Sequence, residues 1–164
     1  MQTAIRPVTP DTLPLLLHSL KSLAADLGDV FTASPETLRA ALFGAAPACH
    51  ALLALQGERC LGAALFAPVF STVKGGAGAY VSDLWVAPEA RGKALGTALL
   101  AAVAEQACTD WNARFLKLVS YTDNDSALRF YARLGFAPLR GETGLTLSGA
   151  PFAALAHTPQ KDPQ

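Results

Sequence analysis

Apolar positions along the chain change their period several times, and each change marks an element. Leu13, Leu16, Leu17, Leu20, Leu23 and Leu27 recur near helical spacing behind Pro10 and Asp11, which predicts a helix with Gly28 as its stop. Ser34-Pro35-Glu36-Thr37 has the form of a second start, a hydroxyl at the N-cap and proline at the first helical position. That helix would run through Leu38 and Leu42 to Gly44. Ahead of both, Thr3–Val8 reads as a short strand, with Pro7 placing it at an edge or strand end. Cys49–Leu55 and Cys60–Phe66 are apolar runs joined by Gln56-Gly57-Glu58-Arg59, which predicts a hairpin.

Val69–Gly78, with Gly75, Gly76 and Gly78, reads as a loop, and Ala79–Val86 as a strand ended by Pro88. A helix follows over Ala94–Cys108, then a buried strand over Arg114–Ser120, then a helix over Asn124–Leu134 closed by Gly135. Phe136–Arg140 and Thr143–Leu147 read as a terminal hairpin turning at Gly141, and Ser148 as the cap of a last helix around Pro151–Ala156. The order β-α-α-β-β-β-α-β-α-β-β is not a simple alternation, so a Rossmann wind is disfavoured. It predicts one domain of the α/β (α+β) class over 1–157, a mixed, mostly antiparallel sheet flanked by helices. A disordered tail is expected over 158–164.

Composition narrows the partners. A chain of 164 residues that is 51% hydrophobic and 16% charged has the length and apolar content for its own core. Thirteen basic and thirteen acidic residues cancel, which argues against a nucleic-acid partner gripped by the overall field and against a polybasic membrane binder. The three cysteines, Cys49, Cys60 and Cys108, form no C-x-x-C pair, and His18, His50 and His157 show no ligand spacing. A reducing, cytoplasmic location and no metal are therefore expected. The apolar runs are short and interrupted, and no apolar stretch follows Arg6, so neither a membrane span nor a signal peptide is expected.

Two stretches hold candidate chemistry. In Asp83-Leu84-Trp85-Val86-Ala87-Pro88-Glu89-Ala90-Arg91-Gly92-Lys93-Ala94-Leu95-Gly96-Thr97, a strand ends and a glycine-bearing loop leads into a helix. Unsatisfied N–H groups and the positive end of the dipole favour an anion there, with Arg91 and Lys93 adding charge. A basic turn with ordinary loop glycines is the plain alternative. Spacing excludes a Walker loop and a G-x-G-x-x-G fingerprint. In Asn124-Asp125-Ser126-Ala127-Leu128-Arg129-Phe130-Tyr131-Ala132-Arg133-Leu134-Gly135-Phe136, physics alone favours Tyr131 as a core aromatic and Asn124 as a helix cap.

Together the stretches resemble the GCN5-related N-acetyltransferase (GNAT) family. Arg91-Gly92-Lys93-Ala94-Leu95-Gly96 is similar to its acetyl-CoA loop, R/Q-x-x-G-x-G/A, with Ala94 where the first glycine is usual. Asn124, Ala127, Phe130, Tyr131, Gly135 and Phe136 match its N-x-x-A-x-x-F-Y-x-x-x-G-F segment. Ile5-Arg6-Pro7, Lys21, Leu23-Ala24, Phe43-Gly44, Pro47 and His50 further resemble the diamine (spermidine/spermine-like) acetyltransferases. The acidic residue which that subgroup places before Asp83 is Ser82 here, and two residues at its polyamine end are Asp26 and Leu27.

The resemblance implies an acetyl-CoA-dependent N-acetyltransferase acting on a primary amine of a small molecule, such as a diamine, amino acid or lysine analogue. It also implies a homodimer. Splayed parallel strands near Leu84–Val86 and Lys117–Ser120 would hold the acetyl-CoA arm, with N–H groups around Leu84 and Trp85 steadying the oxyanion. Arg91, Gly92, Lys93, Ala94, Leu95, Gly96 and Thr97 would hold its phosphates, with Asn124 and Ala127 also at the cofactor. Tyr131 would protonate the departing thiolate. Asp83 would take the amine proton through water, with Ser82 placing that water; a structural carboxylate on the opposite strand face is the equal alternative for Asp83. Asp26, Leu27 and Ser82 would meet the amine. An acyl-CoA-binding module with little turnover, or a protein amino-group acetyltransferase, are the other readings. If Ala94 is an ordinary helical residue, Ala94→Gly should cost up to about 1 kcal/mol.

Overall fold

A computed structural model describes residues 2–157, and the predicted tail over 158–164 lies outside them. Residues up to Asp125 form one compact unit, and those from Ser126 onward form a second.

The first unit is built on a five-stranded sheet in the order β1-β2-β3-β4-β5: β1 (Ala4–Pro7), β2 (His50–Gln56), β3 (Arg59–Ser71), β4 (Gly76–Val86) and β5 (Leu116–Leu118). The first four strands pair antiparallel, and β5 joins β4 in parallel. Val69–Gly78, read above as loop, is instead the tip of a long β3–β4 hairpin, paired from Val69↔Gly78 to Ser71↔Gly76. Gly76 and Gly78 are strand residues under Arg114 and Phe115, a Cβ on Gly78 coming within 2.5 Å of the Phe115 ring, whereas Gly75 makes the turn with positive φ.

Helices cover both faces. Helix α1 (Leu13–Leu27) ends at Gly28 in the left-handed conformation, and α2 (Pro35–Phe43) begins at Ser34, whose Oγ accepts the Thr37 N–H at 3.1 Å. Leu13, Leu16 and Leu20 of α1 and Leu38 and Leu42 of α2 are buried with Ala51, Leu53 and Ala63 of the sheet. Each such leucine contributes about 1.5–3 kcal/mol of burial. On the opposite face lies α3 (Leu95–Trp111), whose Trp111 ring meets those of Phe66 and His50 at 6.1 and 5.1 Å. Gly62 is where α3 comes closest, since a Cβ there would sit 2.9 Å from Leu99 Cδ1. His50 is therefore a packing residue.

The second unit contains α4 (to Arg133, starting at Asp125) and α5 (Gly149–Ala156). Gly135 has positive φ after α4, as its position suggests. The terminal hairpin expected over Phe136–Leu147 is not formed. Pro138, Gly141 and Gly144 break any ladder, and residues 137–148 are exposed, so no apolar face rewards strand pairing.

Candidate functional site

The parallel pairing of β4 with β5 stops early. It runs Ala79↔Leu116, Tyr80↔Lys117 and Val81↔Leu118, whereas β4 continues to Val86 with only β3 beside it. Among the described residues no strand pairs with the Ser82–Val86 edge of β4, and the chain beyond Leu118 does not pair with it. The gap between them starts at a β-bulge. Leu65 pairs with Asp83 and Phe66 with Val81, so Ser82 is an extra residue on β4. Its hydroxyl donates to the Leu65 carbonyl at 3.3 Å.

The bulge resets which groups face the gap. Ala87 N–H donates to Leu61 O, so ladder alternation turns the Trp85 and Asp83 backbone toward β3 and the Leu84 and Val86 backbone toward the bare edge. Of the two N–H groups expected to meet a thioester oxygen, Leu84 faces the gap and Trp85 does not. The bulge also breaks the period of two, placing Asp83 on the opposite sheet face from Val81. Asp83 shares the α1/α2 face with its partner Leu65 and with Trp85. Burial there pushes the Asp83 carboxyl above the usual carboxylate range, partly opposed by a hydrogen bond from Ser82. Burial, with the Asp83 charge adding to it, raises the nearby Cys49 thiol.

Beyond β4, a 3₁₀ turn over Pro88–Ala90 leads through an exposed loop to α3. Gly92 and Ala94 both have left-handed backbone, φ 74° and 61°. Ala94 is the N-cap of α3, and the first intrahelical bond is Ala98 N–H to Ala94 O at 3.0 Å. The N–H groups of Leu95, Gly96 and Thr97 are thus the unsatisfied first turn of a seventeen-residue helix, and no side chain caps them. A glycine-type backbone at Ala94 costs an L-residue about 1–2 kcal/mol. The loop shape is retained in spite of the methyl group.

Two ion pairs fasten this loop. Glu89 pairs with Arg59 at the start of β3. Arg91 donates its Nε to the Val86 carbonyl at 2.9 Å and pairs through Nη with Asp26 at the end of α1. The sequence assigned Arg91 to phosphates and Asp26 to the amine; the fold joins them directly. Leu27, the next residue, is partly exposed. Trp85 is 6% exposed and lies in a cluster with Leu61, Ala87 and Ala90, against Leu23 of α1 and Leu95 of α3. Two further residues that the sequence did not flag belong here: Tyr121, after β5, donates its hydroxyl to both oxygens of Asp29 at 2.9 and 3.0 Å. No local pattern signals a contact across ninety-two positions.

Asn124 closes a turn with its N–H on Tyr121 O at 3.2 Å. Ala127 and Tyr131 lie on α4 in the second unit. There the Tyr131 ring meets those of Phe130 and Phe136 at 5.1 and 5.5 Å, and burial raises its phenol above 10. Among the described residues no cluster of three metal-ligating side chains occurs, and no helix is long and apolar enough to cross a membrane.

The model of the acetyltransferase (GNAT) family matches residues 19–136, more than half of the chain. The chain belongs to this family. It is a GNAT acetyltransferase, and the mixed sheet with its flanking helices is the GNAT architecture. Thialysine N-epsilon-acetyltransferase of Bos taurus is 33% identical over 139 residues, which cover 79% of this GNAT chain and 81% of the relative. The Mus musculus enzyme of the same name is 33% identical over 119 residues, covering 68% and 69%. Among solved structures, an integron cassette protein from the mobile metagenome of V. cholerae superposes with a TM-score of 0.77 at 26% identity, covering 96% of this chain and 99% of that one. An aminoglycoside acetyltransferase from an uncultured soil metagenomic sample superposes at 0.73 with 17% identity, over 89% and 97%, a likeness of fold alone.

Proposed function

We propose that this GNAT protein moves the acetyl group of acetyl-CoA to a primary amine of a small molecule, by direct attack of the amine on the thioester. The observation that carries the reading is the bare Ser82–Val86 edge of β4 running into an uncapped helix start. The Leu84 N–H and carbonyl and the Val86 N–H suit an amide-bearing arm laid beside the strand, the Val86 carbonyl being held by Arg91. The first-turn N–H groups of α3, with Gly92 and Lys93, suit a pyrophosphate. The family uses acetyl-CoA, and these residues fit it. The curated relatives are named for thialysine, an amine of lysine type, which supports a small cationic acceptor.

An alkyl amine titrates near 10.4, so only about four molecules in ten thousand are neutral at pH 7. A proton acceptor near the bulge is therefore needed, and Asp83, a carboxylate made more basic by burial, fills that role through water that Ser82 places. Leu84 N–H steadies the oxygen of the attacked carbonyl. Tyr131, kept protonated by its raised pKa, gives its proton to the departing thiolate. Asp26, although paired with Arg91, and Leu27 remain the candidates for the amine's far end. The catalytic domain spans 1–157, works in the cytoplasm and forms a homodimer, for which the exposed Phe152 and Leu155 of α5 provide apolar surface.

Calorimetry with acetyl-CoA followed by thiol release with a panel of amines tests the reading. Tyr131→Phe should fold and bind acetyl-CoA normally, with turnover lowered at least about tenfold, within the 10²–10⁴ that general acid help supplies. Parental turnover of the best amine across pH 6–9 would remove Tyr131 from the mechanism. Binding without turnover of any amine would make the protein an acyl-CoA-binding module, and sedimentation of a monomer at micromolar concentration would exclude the dimer.

A further inference from the structure

The end of α1 carries two carboxylates three positions apart, and each is fastened to a different arm of the gap. On the β4 side Asp26 holds Arg91, whose Nε is on the Val86 carbonyl. On the β5 side Asp29 accepts the Tyr121 hydroxyl with both oxygens. Asp29 is firmly placed, because its N–H donates to Ala24 O at 2.8 Å across the left-handed Gly28 cap. Tyr121 stands three residues beyond Leu118, the last residue paired with β4, and its carbonyl is held in a turn by Asn124 N–H. Helix α1 packs on β3 and β4, so the Tyr121–Asp29 bond closes a triangle of β4, α1 and the chain leaving β5.

We propose that Tyr121 is a positioning residue that, through Asp29, fixes the angle at which the β5 arm leaves β4 and so the width of the gap that takes the acyl-CoA arm. This rests on the reading of that gap as the acetyl-CoA site. Three paired residues cannot by themselves set the direction of the chain beyond them. A phenol donating to a carboxylate is a stronger bond than a neutral pair, and two acceptor oxygens preserve it through small ring motions. A misplacement of the arm by a fraction of an ångström would act on binding and alignment of the thioester, leaving the reacting groups themselves unchanged.

Tyr121→Phe removes only the hydroxyl, and Asp29→Ala only the acceptor. Each should weaken acetyl-CoA about three- to tenfold, with KM for acetyl-CoA rising more than kcat falls, and the double variant should be no worse than either, since both delete one contact. Asp29→Asn, which keeps an acceptor oxygen, should recover part of the affinity. Amide exchange over 116–121 should quicken in the free Tyr121→Phe protein. Parental affinity in Tyr121→Phe, or losses that add in the double variant, would overturn the proposal. Failure of the parental protein to bind acetyl-CoA would instead overturn the reading of the site. The exchange measurement then still decides the brace, and unchanged exchange over 116–121 removes it.

Discussion

β4 and β5 bound the same gap, yet they are held in different ways. β4 has eleven residues, pairs with β3 along its length, and buries Val81 toward α3 and Trp85 toward α1. β5 has three half-buried residues and, among the described residues, pairs with β4 alone. Burial and ladder bonds hold β4 in place, and with it the bulge, the Leu84 N–H and the root of the loop that starts α3. The β5 arm has less of both, and beyond Leu118 it is tied to α1 by the Tyr121–Asp29 contact. The gap is thus bounded by one arm held by the core and another tied to α1 by polar contacts.

Removing a core anchor from each arm should expose the contrast most strongly. Trp85→Ala should lower unfolding free energy by about 3–5 kcal/mol, whereas Leu118→Ala on the partly buried arm should cost about half of that or less. Urea unfolding checks both, and equal losses would mean that β5 is as integral as β4. Next in size is the loop at the foot of β4. Ala94→Gly should raise stability by about 1 kcal/mol, because it relieves a left-handed backbone at an N-cap, while acetyl-CoA affinity is kept or improved. This reverses the sign expected for a residue inside the helix, and a loss of stability in calorimetric melting would restore that expectation.

The smallest effect concerns the bulge. Asp83 has a raised pKa in the folded chain, so between its unfolded and folded values the native state binds more protons. Stability must then fall as pH rises through that window and stay reduced above it. Asp83→Asn should abolish this slope and lose turnover at the same time. A slope that persists in the variant would assign the titration to another group.

Much of this fold is legible because its signals are local. The Gly28 stop, the Ser34 cap and the apolar runs of β2 and β3 each depend on a few adjacent residues. The helix-start loop from Arg91 is legible for the same reason. The terminal hairpin has the local signal without the fold: alternation around Gly141 satisfies the pattern, but nothing buries its apolar side. Ser82 shows the opposite failure. A bulge is a property of the register between two strands, and no residue type announces it, so the faces of Ser82 and Asp83 could not be fixed from their order. Arg91–Asp26 and Tyr121–Asp29 join positions 65 and 92 apart, which only the packed sheet brings together.

The chain has two tryptophans, and the sheet separates them. Trp85 is sealed under the loop and the end of α1, while Trp111 lies against Phe66 and His50 on the far face. Their fluorescence is consequently two optical channels rather than one. Trp111 reports the integrity of the α3 face, and Trp85 reports events at the foot of the gap. With Trp111→Phe, the remaining emission comes from Trp85 alone, beneath the loop that starts α3.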